Sequence, residues 1–268
     1  MREILGRRRR LRFRRGGRPA RLDAALTCAT AWRWPVLPGV GLAAAGGRGD
    51  RGRGCACPDP ECAVPGAHPF DPGLLAATTD ERMVRWWWTN RPAAPIVLAT
   101  GGRAPCALSL PAVAGARALA ELDRMGVRLG PVVATPTRWS LLVAPYTLER
   151  LGELLYAQDR VPSSLRFHSE GGYLVLPPSE AGTGQVRWER APAADPSVPS
   201  GGSRSSSRGS RSPLRGSRSP LRGSRSSSRG EGSASGAAAP WLPDVGAVLE
   251  ALVEASSSAP GGGSRLAY

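Results

Sequence analysis

Apolar residues in this chain come in short groups whose spacing changes from one group to the next. Leu22 to Trp32 repeats at helical spacing and predicts a helix. Trp34–Pro38 predicts a short strand. Thr78 followed three residues later by Glu81 has the form of a capping box, and it opens a helix through Trp88. Residues 95–100, PIVLAT, read as a buried strand, and Cys106–Leu110 as a second. Pro111 suits the first position of a helix that Gly126 would stop. Residues 132–135 and 140–143 are expected to pair around the turn Thr135–Arg138. Thr147 caps a helix through Gln158. Residues 165–169 and 173–176 are expected to form a hairpin about Gly171–Gly172, and 186–189 a last strand. Helices mixed with a partly antiparallel sheet give an α+β (or α/β) domain over residues 22–191.

The pattern then stops. Residues 202–229 are four seven-residue units, GSRSSSR, GSRSPLR twice and GSRSSSR. Leu214 and Leu221 are their only large apolar residues. Such a segment buries too little surface to offset its ordering entropy. Residues 192–240 are therefore expected to be a disordered linker. Val245, Val248, Leu249, Leu252 and Val253 then follow the spacing of an amphipathic helix, placed at 241–256, before a disordered tail at 257–268. A helix this short needs a surface to dock on. Either the domain itself or a partner, such as a replication protein, would supply it.

Charge sharpens this picture. The 268 residues carry 36 cationic side chains against 21 acids, for +15, and every cation is arginine. Residues 1–21 hold +9 and residues 202–230 hold +8, leaving −2 for the rest. A uniformly basic nucleic-acid-binding fold would spread its charge differently. The first 21 residues are expected to be a disordered arm. Its Arg7, Arg8, Arg9, Arg10, Arg12, Arg14 and Arg15 would lie along a phosphate backbone, with steep salt dependence. Positive charge without a following apolar run does not make an export signal, so a cytoplasmic location is expected. No apolar run reaches membrane-spanning length, so no membrane association is expected.

Residues 41–73 make a loop too long to be idle in a compact domain. It contains Cys55, Cys57, Cys62 and His68 in the pattern C-x-C-x4-C-x5-H. Three thiolates and one imidazole complete a tetrahedral zinc shell. With four protein ligands, none of the shell stays open to water, so the ion would be structural. Disulfides are not expected in a reducing compartment.

Several of these segments, in this order, resemble one family. They are WRWPVLPG (32–39), the Cys/His loop ending in GAHP (66–69), WWW (86–88), TG (100–101), TPT (135–137) and GGYLVLPPS (171–179). Together they look like the bifunctional DNA primase/polymerase N-terminal domain, of the archaeo-eukaryotic primase superfamily, over about residues 20–192. The two chain ends look like those of an actinobacterial branch. The resemblance implies a primase-polymerase-like mixed sheet with flanking helices. It implies DNA as partner and template-directed nucleotidyl transfer by two Mg²⁺ or Mn²⁺ ions. Those ions would be held by a D-x-D pair and a later carboxylate, with an S-x-H element on the nucleotide phosphates.

The chain departs from that pattern at the positions that matter. Ser109 and Pro111 stand where the D-x-D acids are expected, and neither holds Mg²⁺ as a carboxylate does. The TPT element continues Arg138-Trp139-Ser140, without histidine. The strand expected to bring the third acid reads SSLRFH (163–168). The expected function is therefore a primase/polymerase-like module without transfer activity, binding nucleic acid through its tails and Arg138. One alternative is an active nucleotidyltransferase with displaced carboxylates at Asp123, Glu170 or Glu180. Another is a zinc-stapled protein-interaction module. Two of the three consecutive tryptophans are expected in the core and one partly exposed.

Overall fold

The computed structural model describes residues 20–43, 54–193 and 239–257. The chain opens with α1 (Ala20–Leu26), which continues as a π-helical turn over Thr27–Ala31. β1 (Val36–Pro38) follows, then α2 (Glu81–Asn90), β2 (Ile96–Ala99), β3 (Cys106–Pro111) and α3 (Ala112–Arg124). β4 (Val132–Ala134) and β5 (Arg138–Val143) form the hairpin expected around Thr135–Arg138. Next come α4 (Leu148–Tyr156), β6 (Arg166–His168), β7 (Tyr173–Leu176), β8 (Ser179–Ala181) and β9 (Gly184–Arg190), and after the linker α5 (Gly246–Ser257). The architecture is α+β, as expected, and all strand pairs are antiparallel.

Two helix starts differ from the sequence reading by a residue or two. Asp80, not Thr78, caps α2, because its side chain accepts from the backbone N–H of Met83 at 2.8 Å. Thr78 instead accepts from the N–H of Asp80, and Glu81 pairs with Arg85 one turn on. Pro111 is the residue before α3, not its first turn. Its ψ of 144° is extended and keeps it in β3 opposite Arg138. On α2, Trp87 and Trp88 are buried and Trp86 is 60% exposed. Neighbours about 100° apart around a helix cannot all face one core.

The strands form two sheets, one ordered β1-β2-β7 and one ordered β6-β3-β5-β4-β9-β8. This order corrects the expected hairpin of 165–169 with 173–176. β6 pairs with β3, and β7 pairs with β2. The Gly171–Gly172 turn carries the chain from one sheet to the other. Thr100 at the end of β2 holds that turn: its N–H donates to Gly172 O at 3.0 Å and its hydroxyl donates to Ser169 O at 2.6 Å. Gly101 has φ +91°, and a Cβ there would strike the backbone of Glu170. The Thr-Gly pair thus allows the crossover to approach.

Period-two alternation divides the large sheet between two cores. Cys106, Leu108 and Leu110 of β3, with Leu141 and Val143 of β5, pack beneath α3, α4 and α5. Leu142 and Val133 turn the other way, toward the small sheet, α1 and α2 with Trp34, Trp87 and Trp88. Gly115 of α3 lies so close to β5 that a Cβ would come within 2.7 Å of Trp139 Cβ.

The apolar stripe of α5 docks on the chain itself. Val248, Leu249, Leu252 and Val253 join the core under α3, and Ser256 shares a 2.6 Å hydrogen bond with Ser164. The segment before α5 is also tied in. Trp241 N–H donates to Ala193 O at 3.1 Å, Arg128 lies 3.9 Å from the Trp241 ring centroid, and Ala144 N–H donates to Pro243 O at 2.8 Å. This cis docking covers the face that the sequence left open for a partner. Leu252 is fully buried, so Leu252→Ala is expected to cost about 2–5 kcal/mol in urea denaturation. A helix resting on a partner would lose under about 0.5 kcal/mol.

Candidate functional site

A cavity of about 370 Å³ lies between the two sheets. Its floor is a row across the large sheet. Arg166 of β6 stands opposite Ser109 of β3, which stands opposite Ser140 of β5, which stands opposite Val133 of β4. Arg138 is two residues before Ser140 on the same face, and His168 two residues after Arg166. Tyr173, Leu174 and Val175 of β7 form the opposing wall. The alternation that buries Leu108 and Leu110 in one core turns Ser109 to the other face, where it lines this cavity.

Arg138 folds over Ser109. Its Nε donates to Ser109 Oγ at 2.9 Å, and its Nη2 donates to Ser109 O at 2.6 Å and to Ser164 O at 2.8 Å. Burial, and then the charge of Arg166, push the guanidinium down to about 10, which leaves it cationic at neutral pH. His168 donates from Nδ1 to Tyr173 O at 3.0 Å. Burial, with the charges of Arg138 and Arg166, holds its pKa below the ordinary histidine range, so the ring is neutral. Among the described residues, no carboxylate lines the cavity. This environment is cationic, the opposite of what two divalent ions require.

The acids named as displaced candidates lie elsewhere. Asp123 is held by Arg190 on α3's outer side, 2.7 Å away. Glu170 lies in the crossover turn and Glu180 on β8, and neither lines the cavity. Of the arginines read as phosphate contacts, Arg138 is in this cavity. Arg7, Arg8, Arg9, Arg10, Arg12, Arg14 and Arg15 lie outside the described residues, as does the heptad-repeat linker. Sequence reasoning left Arg166 as a mere absence of acid. Its signal was the alternation R-F-H, which puts Arg166 and His168 on one face.

Beside the cavity, the Cys/His loop folds back on residues 39–43. Gly41 bridges Gly66, Leu42 bridges Cys55, and Val40 N–H donates to His68 O at 3.0 Å. The ligand atoms of Cys55, Cys57, Cys62 and His68 all lie within 4.8 Å of one another, a cluster that could hold a metal ion. His68 Nε2 is 3.3 Å from Cys55 Sγ and 3.4 Å from Cys62 Sγ. A tetrahedral zinc shell separates nitrogen and sulfur ligands by about 3.6 Å. His68 Nδ1 donates to Pro69 O at 2.9 Å, which fixes the tautomer and turns the Nε2 lone pair to the cluster. The acceptor is that carbonyl, and Asp59 accepts from the N–H of Glu61.

The electrostatics of two of the thiols differ in direction. Burial raises the Cys55 thiol. The Gly66 N–H, donating to its sulfur at 3.2 Å, and the Cys57 N–H outweigh that and bring it down to about 6. Cys57 is pushed up to about 11 by desolvation and then by the neighbouring sulfurs. One thiolate forms readily, and a second resists until positive charge arrives.

A family model described as the bifunctional DNA primase/polymerase, N-terminal domain matches residues 25–200. No curated protein and no solved structure matches the chain. The matched segment contains both sheets, the Cys/His loop and the cavity, and covers well over half of the sequence. By that match, the chain belongs to the bifunctional DNA primase/polymerase N-terminal family.

Proposed function

We propose that this chain is a primase/polymerase-family module that has lost nucleotidyl transfer and acts by associating with nucleic acid, chiefly DNA, in the cytoplasm. One observation carries this reading. The Arg138 guanidinium is hydrogen-bonded to Ser109 at the spot where the family chemistry needs carboxylates. A cation fixed there repels the Mg²⁺ or Mn²⁺ that would align the attacking and leaving oxygens. Grip on nucleic acid then falls to the arginine-rich segments 1–21 and 202–230, which need only a phosphate backbone. In the Cys55, Cys57, Cys62 and His68 cluster the ion is zinc. Its soft thiolate-rich donor set and short loop suit that metal, and four protein ligands make the ion structural.

Three measurements test this. In primer-synthesis and primer-extension assays with Mg²⁺ or Mn²⁺, no incorporation is expected. Incorporation that disappears in Asp123→Asn or Glu170→Gln would overturn the proposal. Removal of residues 1–19, which leaves α1 with Arg21 intact, together with replacement of the arginines in 202–230 by serine is expected to weaken DNA binding by at least about 10³-fold at low salt and to flatten its salt dependence. Undiminished binding contradicts the role given to the tails. Elemental analysis of the purified protein is expected to find one zinc per chain, and under half an equivalent in Cys57→Ser, because a three-ligand remnant binds far more weakly. Metal-free parent protein would rule the zinc site out.

A further inference from the structure

The floor of the cavity contains two guanidiniums that no acid neutralises. Arg138 spends Nε and Nη2 on Ser109 and Ser164. Its Nη1 takes no partner among the described residues. The Arg166 side chain makes neither a hydrogen bond nor an ion pair among the described residues, although it faces Ser109 from the next strand. The buried Ser140 hydroxyl, on the far side of Ser109 from Arg166, has no side-chain partner among the described residues either. The charge of Arg166 acts on the half-buried Arg138, and an anion bound to both would offset that repulsion. The three bonds to Arg138 fix the plane of its fork before any ligand arrives. A pre-oriented guanidinium with free N–H donors matches phosphate geometry.

We propose that this cavity binds a terminal phosphate directly on Arg138 and Arg166, with the Ser140 hydroxyl, and without a divalent ion. The proposal rests on the reading that transfer activity is lost, and it adds a ligand to that site. In this arrangement fixed guanidiniums do the charge neutralisation that ions bridging to carboxylates do in an active two-metal site. The cavity, at about 370 Å³, is large enough for a nucleotide, and Leu174 and Val175 opposite the arginines offer an apolar wall to the rest of the ligand. The same chemistry can arrive as a free nucleoside triphosphate or as the 5′-phosphate of a nucleic-acid strand.

Both sources can be titrated calorimetrically into the full-length, zinc-replete protein in metal-depleted buffer. The probes are ATP, a 5′-phosphorylated eight-nucleotide thymidine strand, and the same strand ending in a 5′-hydroxyl. The hydroxyl strand reads the tails alone. Saturable binding of ATP, or tighter binding of the phosphorylated than of the hydroxyl strand, is expected without Mg²⁺; whichever probe responds identifies the source. Arg166 is exposed, so Arg166→Gln should fold, and it is expected to weaken ATP binding about tenfold or to bring the two strands within about twofold of each other. Arg138→Lys, which keeps the charge but loses the fork, is expected to weaken binding in the same direction. Saturation only after Mg²⁺ is added overturns the inference, as does equal binding of the two strands with no response to ATP. Neither result touches the loss of transfer activity, which the incorporation assay tests separately.

Discussion

The cavity exists because the chain changes sheet between β6 and β7, and a small clamp makes that change. A Gly-Gly turn after a strand would ordinarily fold the next strand back beside it. Here Thr100 binds both sides of the turn, through its backbone to Gly172 and its hydroxyl to Ser169. β7 therefore registers on β2 and β6 on β3. Side chains on the inner face of β6 then look across at β7, and the space between becomes a pocket. His168 adds a second tie over the same turn by donating to Tyr173 O. Removing its neutral form would cost this bond nothing at Nδ1, but it would place a third cation beside two guanidiniums. Burial and those charges oppose that, which is why the ring stays neutral.

Given that pocket, its electrostatics follow from a few positions. A D-x-D pair on β3 would put two carboxylates on the cavity face, and divalent ions between them would be stable. With Ser109 and Pro111 there, nothing holds an ion, and the neighbouring strands supply charge of the opposite sign. Ser109 is small enough for Arg138 to fold over it and bond its hydroxyl and carbonyl. Pro111 has no side-chain donor or acceptor to offer in place of the second acid. The cavity that results is lined by Arg138 and Arg166, the charge pattern on which the proposed anion site rests.

Much of this was legible in the sequence, and the misses have common causes. The apolar groups at 106–110 and 140–143 were enough to place both strands, and the family resemblance drew attention to Ser109. The Cys/His spacing gave the four-ligand cluster, because loop ligands close in sequence have little choice but to meet. The 165–176 segment failed because the information that decides its pairing lies about seventy residues upstream, at Thr100 and Gly101. Local turn chemistry alone favours a hairpin there. The α2 cap went to Asp80 for a related reason. Thr78 is held in a bridge to Val36, so the last residue free to adopt a capping conformation comes later. The destination of α5 was left open because amphipathicity reports that a face must be covered, and not by what.

The Cys/His loop and the pocket are mechanically one unit, although the metal cluster has no free ligand position for chemistry. Val64 and Ala67 lie between Cys62 and His68 in sequence and line the cavity. Pro65, between them, accepts a 2.7 Å hydrogen bond from Gly182 N–H after β8. Burial, and then the nearby Cys62, raise the hydroxyl of Tyr173 on the opposite wall. A cation held by Cys55, Cys57, Cys62 and His68 would tie together the two ends of the segment that carries Val64 and Ala67. A structural metal at one edge of a pocket can in this way determine how well the pocket's own charges are aimed, while taking no part in binding its ligand.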